Sequence, residues 1–262
     1  MLKNLLVRSS ILRSLIFPLL RKIDFELRIK HDITKRQITL RSWLHKGYWF
    51  YGSQREEDEV KRFKELIPRG GCVLEVGGHI GYVTQIFEWL VGDDGNVCVA
   101  EPTPHSRQFL TKNVLSSTKI LPVALSNKVG KMDFFIEELG GFTNSLVREF
   151  THSTNISLSN SQRKNSSKVK MIQVDVTTID VIVKELRDRL DFIKIDVEGA
   201  ELDVLQGAKA TLSRVNGLMV EVSRNHKEVY ELLYSFGFKA TDKGGSLISS
   251  GEYLSGNIFF KR

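Results

Sequence analysis

Five acidic residues and one glycine turn carry the chemistry legible in this chain: Glu75, Glu101, Asp196, Glu198 and Glu221, with Gly77-Gly78-His79-Ile80-Gly81. Glu75 sits in a run of β-formers, and a helical pattern begins after Gly81, so the spacing reads E-x-G-G-x-x-G. A strand, a glycine turn and a helix make the shape of a nucleotide-type cofactor site, and in open α/β sheets ligands bind beyond the carboxyl ends of the strands. Gly77, Gly78 and Gly81 allow backbone to approach a ligand where a Cβ would clash. Glu101 follows Gly81 by twenty residues and ends the next strand. A carboxylate there accepts hydrogen bonds from ribose hydroxyls. NAD wants a pyrophosphate cradle of closely spaced glycines. Here His79 stands where the middle glycine would be, and the negative charge of Glu75 repels pyrophosphate. The same charge suits a ligand bearing an ammonium or sulfonium group. S-adenosylmethionine carries both. An unliganded strand turn with Glu75 on the surface is the competing reading.

Asp196 ends a later strand and Glu221 lies near the end of the one after it, with Glu198 within reach. Carboxylates converging at strand ends serve as a general base or hold Mg²⁺ through oxygen ligands, with Asp196 and Glu221 as the metal candidates. They serve equally to cap the following helix, as Glu201 could from its first turn. His226, just past Glu221, is a further base candidate or a surface residue at a helix start. Ser145, in Asn144-Ser145-Leu146, contacts ligand or makes a turn hydrogen bond.

Positioning these residues takes alternating strands and helices. The pattern predicts strands at Cys72–Gly77, Val97–Glu101, Lys119–Leu125, Lys131–Glu137, Val169–Val174, Asp191–Asp196 and Gly217–Val222. Helices are predicted at Gly81–Val91, Pro104–Leu115, Thr178–Leu190, Glu201–Leu212 and His226–Phe236. A closing hairpin, Phe238–Thr241 with Asn257–Lys261, adds an antiparallel edge. Such alternation implies a mostly parallel sheet with helices on both faces. Residues 71–262 form this cofactor-binding domain, and residues 23–70 read as a small N-terminal cap. The cap holds a strand at Gln37–Leu40, the aromatic cluster Trp43, Tyr48, Trp49, Phe50 and Tyr51, and a helix at Glu56–Ile67. The cluster is either core or the wall of a substrate cleft.

The formal net charge of +7 is unevenly spread. Residues 1–70 hold sixteen Lys/Arg against eight Asp/Glu, whereas the other 192 hold twenty-two against twenty-three. A near-neutral body argues against a nucleic-acid-binding face. Residues 1–22 have no acid and five bases, Lys3, Arg8, Arg13, Arg21 and Lys22, among many leucines and isoleucines. That composition suits a helix packed on the domain, a peripheral membrane-surface helix or a transit peptide, and Pro18 interrupts its pattern. No stretch reaches the roughly 18 apolar residues of a membrane span. Cys72 and Cys98 fall in predicted strands, as reduced thiols of a cytosolic protein do. Thr151–Lys170 reads as a polar loop, and its glycosylation sequons at Asn155 and Asn165 as chance matches.

Three blocks together resemble one family. Val73–Phe87, Glu101-Pro102-Thr103-Pro104 with Asn113, and Asp191–Glu201 with Leu205 and Gly207-Ala208 are similar to the FkbM family of S-adenosylmethionine-dependent methyltransferases. The run K-I-D-V-E-G-A-E at Lys194–Glu201 is the most specific part, and the likeness extends over residues 35–260. The family usually has Asp and Ala-Asn where this chain has Glu75 and Gly78-His79. The resemblance implies a class I methyltransferase (Rossmann-like) α/β fold, with a mostly parallel seven-stranded sheet whose last strand is antiparallel. It implies S-adenosylmethionine as donor, contacts from Glu101, Pro102 and Asp196 among others, and a hydroxyl acceptor on a sugar, glycan or secondary metabolite. Exclusion points the same way. The five prolines include no adjacent pair, so the Asp/Asn-Pro-Pro-aromatic signature of nitrogen methylation is missing, and neither cysteine falls in a catalytic loop. An RNA methyltransferase, suggested by the basic N-terminus, and a non-catalytic cofactor-fold binding protein are the rival readings.

Overall fold

The computed structural model describes residues 10–50, 57–137, 144–147, 169–185 and 190–262. Residues 1–9, Tyr51, both sequons, residues 151–168 of the expected polar loop and residues 186–189 of the expected helix lie outside them.

The chain opens with helix α1 (Ser10–Ile23), an antiparallel hairpin of β1 (Glu26–Lys30) and β2 (Gln37–Arg41), a short helix α2 (Lys46–Phe50) and helix α3 (Glu57–Leu66). Strand β1 was not anticipated, although Glu-Leu-Arg-Ile-Lys alternates cleanly and only Leu27 and Ile29 are shielded. Helix α3 buries Val60 and Phe63. The Phe63 ring lies 5.0 Å from Phe87, 5.8 Å from Phe192 and 5.6 Å from Phe259. Burying a side chain of this kind stabilises by about 1.5–3 kcal/mol, and it fixes α3 across one face of the sheet. Asn113 ties β2 to the same body. Its amide accepts from Thr39 N–H at 2.7 Å and donates to the carbonyls of Thr39 and Ile80 at 2.9 and 2.7 Å.

Next come β3 (Cys72–Val76), α4 (Tyr82–Val91), β4 (Asn96–Ala100), α5 (Pro104–Asn113), β5 (Lys119–Leu121), β6 (Ala124–Leu125), β7 (Gly130–Glu137) and β8 (Val169–Thr177). The remainder is α6 (Ile179–Glu185), β9 (Phe192–Ile195), α7 (Glu201–Gln206), α8 (Lys209–Leu212), β10 (Gly217–Val222), α9 (His226–Ser235), β11 (Lys239–Thr241) and β12 (Gly256–Lys261). Seven strands form the central sheet in the order β11-β12-β10-β9-β3-β4-β5. Pairings from β5 to β10 are parallel, and β12 runs antiparallel to both β10 and β11. This is the α/β class I methyltransferase sheet that the resemblance implies. From β3 the chain builds outward through β4 and β5, then crosses to β9 and β10 on the other side. The crevice of such a sheet opens at that reversal.

Alternate residues of each strand face opposite layers. Leu74, Val76, Ile193 and Ile195 pack with α6, α7 and α9, whereas Val73, Phe192, Met219 and Phe259 pack under α3 and α4. A smaller sheet, ordered β6-β8-β7, stands beside this body. The single strand expected at Lys119–Leu125 is split between the two sheets at Pro122, which has no N–H to give a ladder. The helix expected at Glu201–Leu212 is likewise divided, at Gly207, where a Cβ would lie 2.1 Å from the Ser126 carbonyl oxygen.

Candidate active site

A cleft opens past the carboxyl ends of β3, β4 and β9, where open α/β sheets bind their ligands. Its polar lining comes from Tyr48, His79, Glu101, Thr103, Asn144, Asp196 and Glu198, and its apolar lining includes Pro102, Val123, Leu125, Phe134 and Leu146.

Glu101 is 5% exposed, and burial pushes its carboxyl above the usual range. Backbone N–H groups of Thr103 and His79 donate to its two oxygens at 2.8 and 2.9 Å. A carboxylate has about four lone-pair sites, so acceptor capacity remains toward the cleft. His79 adopts φ +46° to present its N–H to Glu101. Its Nδ1 lies 2.8 Å from the Tyr48 hydroxyl, and burial lowers its pKa to about 4, which keeps the ring neutral at neutral pH. The cap therefore closes one side of the cleft through Tyr48. Of the predicted aromatic cluster, Tyr48 alone lines this cleft among the described residues.

Beneath the cleft floor, strand register lays down a row of charges. Glu75 on β3 is the Cα partner of Lys194 on β9, and Glu221 on β10 is the partner of Asn257 on β12. The Lys194 ammonium sits 3.4 Å from Glu75 and 3.0 Å from Asp196, and reaches the Gly77 carbonyl at 3.4 Å. Burial would lower the lysine's pKa, but the Asp196 and Glu75 charges outweigh it and raise it. For Asp196 burial acts upward. The Lys194 charge and a hydrogen bond from Glu221 overcome it and hold the carboxyl below its ordinary value. Glu221 goes the other way, raised to about 10, first by the charge of Asp196 and then by burial. The charges thus favour an ionised Asp196 beside a protonated Glu221. Glu59, brought over from α3, joins the group and accepts from Asn257 Nδ2 at 2.6 Å; burial raises its pKa also.

Not every expected site residue reaches the cleft. Glu75 does not line the cleft. It is 1% exposed, takes the Thr84 hydroxyl at 2.5 Å and spends its charge on Lys194. The glycines answer to protein neighbours: a Cβ on Gly77 (φ +87°) would lie 1.9 Å from the Asp196 carbonyl oxygen. Gly78 and Gly81 pack on Val99 and Leu110 outside the cleft lining, whereas Gly77 and Pro102 do line it. Ser145 is fully buried behind the wall made by its neighbours Asn144 and Leu146. Its hydroxyl donates to the Glu198 carbonyl at 2.6 Å and accepts from Val147 N–H at 2.9 Å. That bond helps hold Glu198 at φ +55°, a conformation costing of order 1–3 kcal/mol. Glu201 accepts from Gly199 N–H at 2.7 Å in the turn that leads into α7. His226 is the first residue of α9 and does not line the cleft.

Asp196, Glu198 and Glu221 do come together, with one carboxylate oxygen of each within 4.8 Å of the others. The methyltransferase FkbM domain matches residues 75–240, spanning both the β3 turn and this acidic group. The chain belongs to the FkbM methyltransferase family. Among solved structures this FkbM methyltransferase is similar to a SAM-dependent methyltransferase from Aquifex aeolicus, at 16% identity over 80% of this chain and 93% of that one, TM-score 0.41. It is also similar to fibrillarin from Aeropyrum pernix with bound S-adenosylmethionine, at 11% identity over 91% of this chain and 99% of that one, TM-score 0.39. These likenesses say nothing of the acceptor. No curated protein matches its sequence. As a member of this family it is an S-adenosylmethionine-dependent methyltransferase.

Sequence reasoning passed over Lys194 as a site residue, although a lysine inside the apolar strand Phe192–Ile195 signals a buried partner. Glu59 left no such signal, because α3 carries three other carboxylates, Glu57, Asp58 and Glu65, and Glu56 precedes it in the sequence.

The raised pKa of Glu221 has a sign that can be checked. Between its ordinary 4.5 and about 10 the unfolded chain has lost this proton while the folded FkbM methyltransferase keeps it, so stability declines as pH rises through that window. Glu221→Gln removes the titration. Its thermal unfolding midpoint should fall less steeply with rising pH than the wild type's, and parallel profiles would refute a protonated Glu221.

Proposed function

We propose that this enzyme methylates a hydroxyl of a small molecule or glycan, with Asp196 receiving the hydroxyl's proton. The observation that carries the reading is the Asp196 carboxylate at the cleft, held ionised by Lys194. When bound, S-adenosylmethionine supplies an electrophilic methyl on a sulfonium, open to in-line displacement. The cleft suits it: Glu101 offers carboxylate acceptors for ribose hydroxyls, and Pro102, Leu125, Phe134 and Leu146 offer apolar surface for the adenine. Asp196 orients the acceptor by accepting its O–H, which places an oxygen lone pair for attack. A low-pKa carboxylate is adequate, because the oxygen becomes strongly acidic once it has gained a methyl. Carbon methylation by a cysteine nucleophile is disfavoured, since burial pushes the Cys98 thiol up to about 12. Mg²⁺ is the alternative occupant of Asp196, Glu198 and Glu221, whose oxygen donors match it. The Lys194 ammonium already placed on Asp196 competes with it.

Calorimetry with S-adenosylhomocysteine tests the cofactor half. Glu101→Ala should weaken binding by about 1–3 kcal/mol, and unchanged affinity would remove Glu101 from the site. Labelled donor supplied with hydroxylated acceptors and, separately, with RNA tests the other half. Transfer confined to RNA would overturn the hydroxylated-metabolite reading.

A further inference from the structure

We propose that the segment from α1 to Phe25 docks this protein peripherally on an anionic membrane surface. One side of the segment is fastened to the cap. The Phe17 ring meets Trp43 edge-on at 5.6 Å, and Asp24 accepts from Trp43 N–H at 2.7 Å and pairs with Arg41 at 3.2 Å. The other side carries exposed apolar groups: Leu19 and Ile23 at 56% and Phe25 at 44%. These are three of the ten large exposed hydrophobics among the described residues, gathered within seven positions. Leu19 and Ile23, four apart on the helix, are neighbours on its surface. Lys22, three residues after Leu19, lies exposed beside them, and Arg21 on the helix with Arg28 and Lys30 on the adjoining strand are exposed nearby.

The acids nearby do not offset these cations. Asp24 is engaged by Arg41 and the cap backbone, and Glu26 is taken by Lys112 at 2.7 Å. Residues 1–22 contain no acid at all. A face that interleaves apolar side chains with long cationic ones fits a lipid interface, where the stems cover apolar surface and the charged ends reach the headgroups. Its charge favours anionic lipid over a neutral bilayer. Among the described residues no helix is long and apolar enough to cross a membrane, so contact through this segment lies in the surface plane. The same cap carries Tyr48 to the cleft, so docking and cleft access share one element.

The test is flotation of the full chain with vesicles of phosphatidylcholine alone and of phosphatidylcholine with phosphatidylserine. The protein should float with the anionic vesicles, stay behind with the neutral ones and be released by high salt. Leu19→Ser with Ile23→Ser should abolish flotation. Arg21→Ala with Lys22→Ala should weaken partitioning by about fivefold for each base removed. Neither pair touches the cleft, so S-adenosylhomocysteine binding serves as the control for folding and is independent of the acceptor assigned above. Absence of wild-type flotation, equal flotation with both vesicles, or indifference to the apolar pair would overturn the proposal. So would light scattering that shows a dimer dissolved by the apolar pair with flotation unchanged, which would make this face a contact between copies.

Discussion

Asp196→Asn should lower kcat by roughly 10²- to 10⁴-fold, the usual contribution of a positioned proton acceptor, while leaving S-adenosylhomocysteine binding within a few-fold of wild type. The amide keeps the shape and one hydrogen-bonding oxygen but cannot take a proton. It also removes the charge that draws Lys194 and raises Glu221. The loss should therefore appear in kcat and not chiefly in the acceptor's KM. Equal loss in donor binding would make Asp196 a cofactor residue, and unaltered turnover would remove it from catalysis. A chelator separates the metal alternative: if Mg²⁺ sits on Asp196, Glu198 and Glu221, chelation should mimic the substitution in the wild type. Under the proton-acceptor reading, chelation leaves the rate unchanged.

Lys194→Met should destabilise the fold by about 3–5 kcal/mol, the cost of breaking a buried ion pair from one side. Lys194 is 4% exposed and Glu75 1%. With the ammonium gone, the Glu75 carboxylate is left buried with only the Thr84 hydroxyl, and Asp196 loses its positive neighbour. The double variant Lys194→Met, Glu75→Leu should recover much of that loss, because replacing both charges with apolar groups removes the desolvation penalty. Activity should not return with stability, since Asp196 would remain without the ammonium. Denaturant unfolding of the three proteins decides it: a double variant no more stable than the single one would show that Lys194 acts through Asp196 alone. Because the ammonium also bonds the Gly77 carbonyl, this lysine links the turn after β3 to the acid after β9.

The alternation of strands and helices, the parallel sheet and its antiparallel last strand were legible in the sequence, because period and turn residues are local properties. The pairing of β1 with β2 was equally local and was missed. Glu101 and Asp196 were legible as cleft residues for a related reason: each ends or follows a core strand of an open sheet, and such strands point their ends at the site. What the sequence could not convey was which way each charge is spent. Glu75 reads as a ligand for a cation, and it is one, but the cation is Lys194. The two are 119 residues apart and meet only through the register of β3 against β9. The glycines after Glu75 read as room for a ligand, yet Gly77 makes room for the Asp196 carbonyl of a neighbouring strand. Ser145 reads as a ligand contact or a turn hydrogen-bonder; it makes the turn bond with Val147 N–H and also braces Glu198. The type of chemistry was thus legible through the three blocks that resemble the FkbM family, whose motif residues are local in sequence. The assignment of roles among the carboxylates was decided by tertiary structure, because a buried charge acts on whatever lies nearest, and strand pairing sets what is nearest.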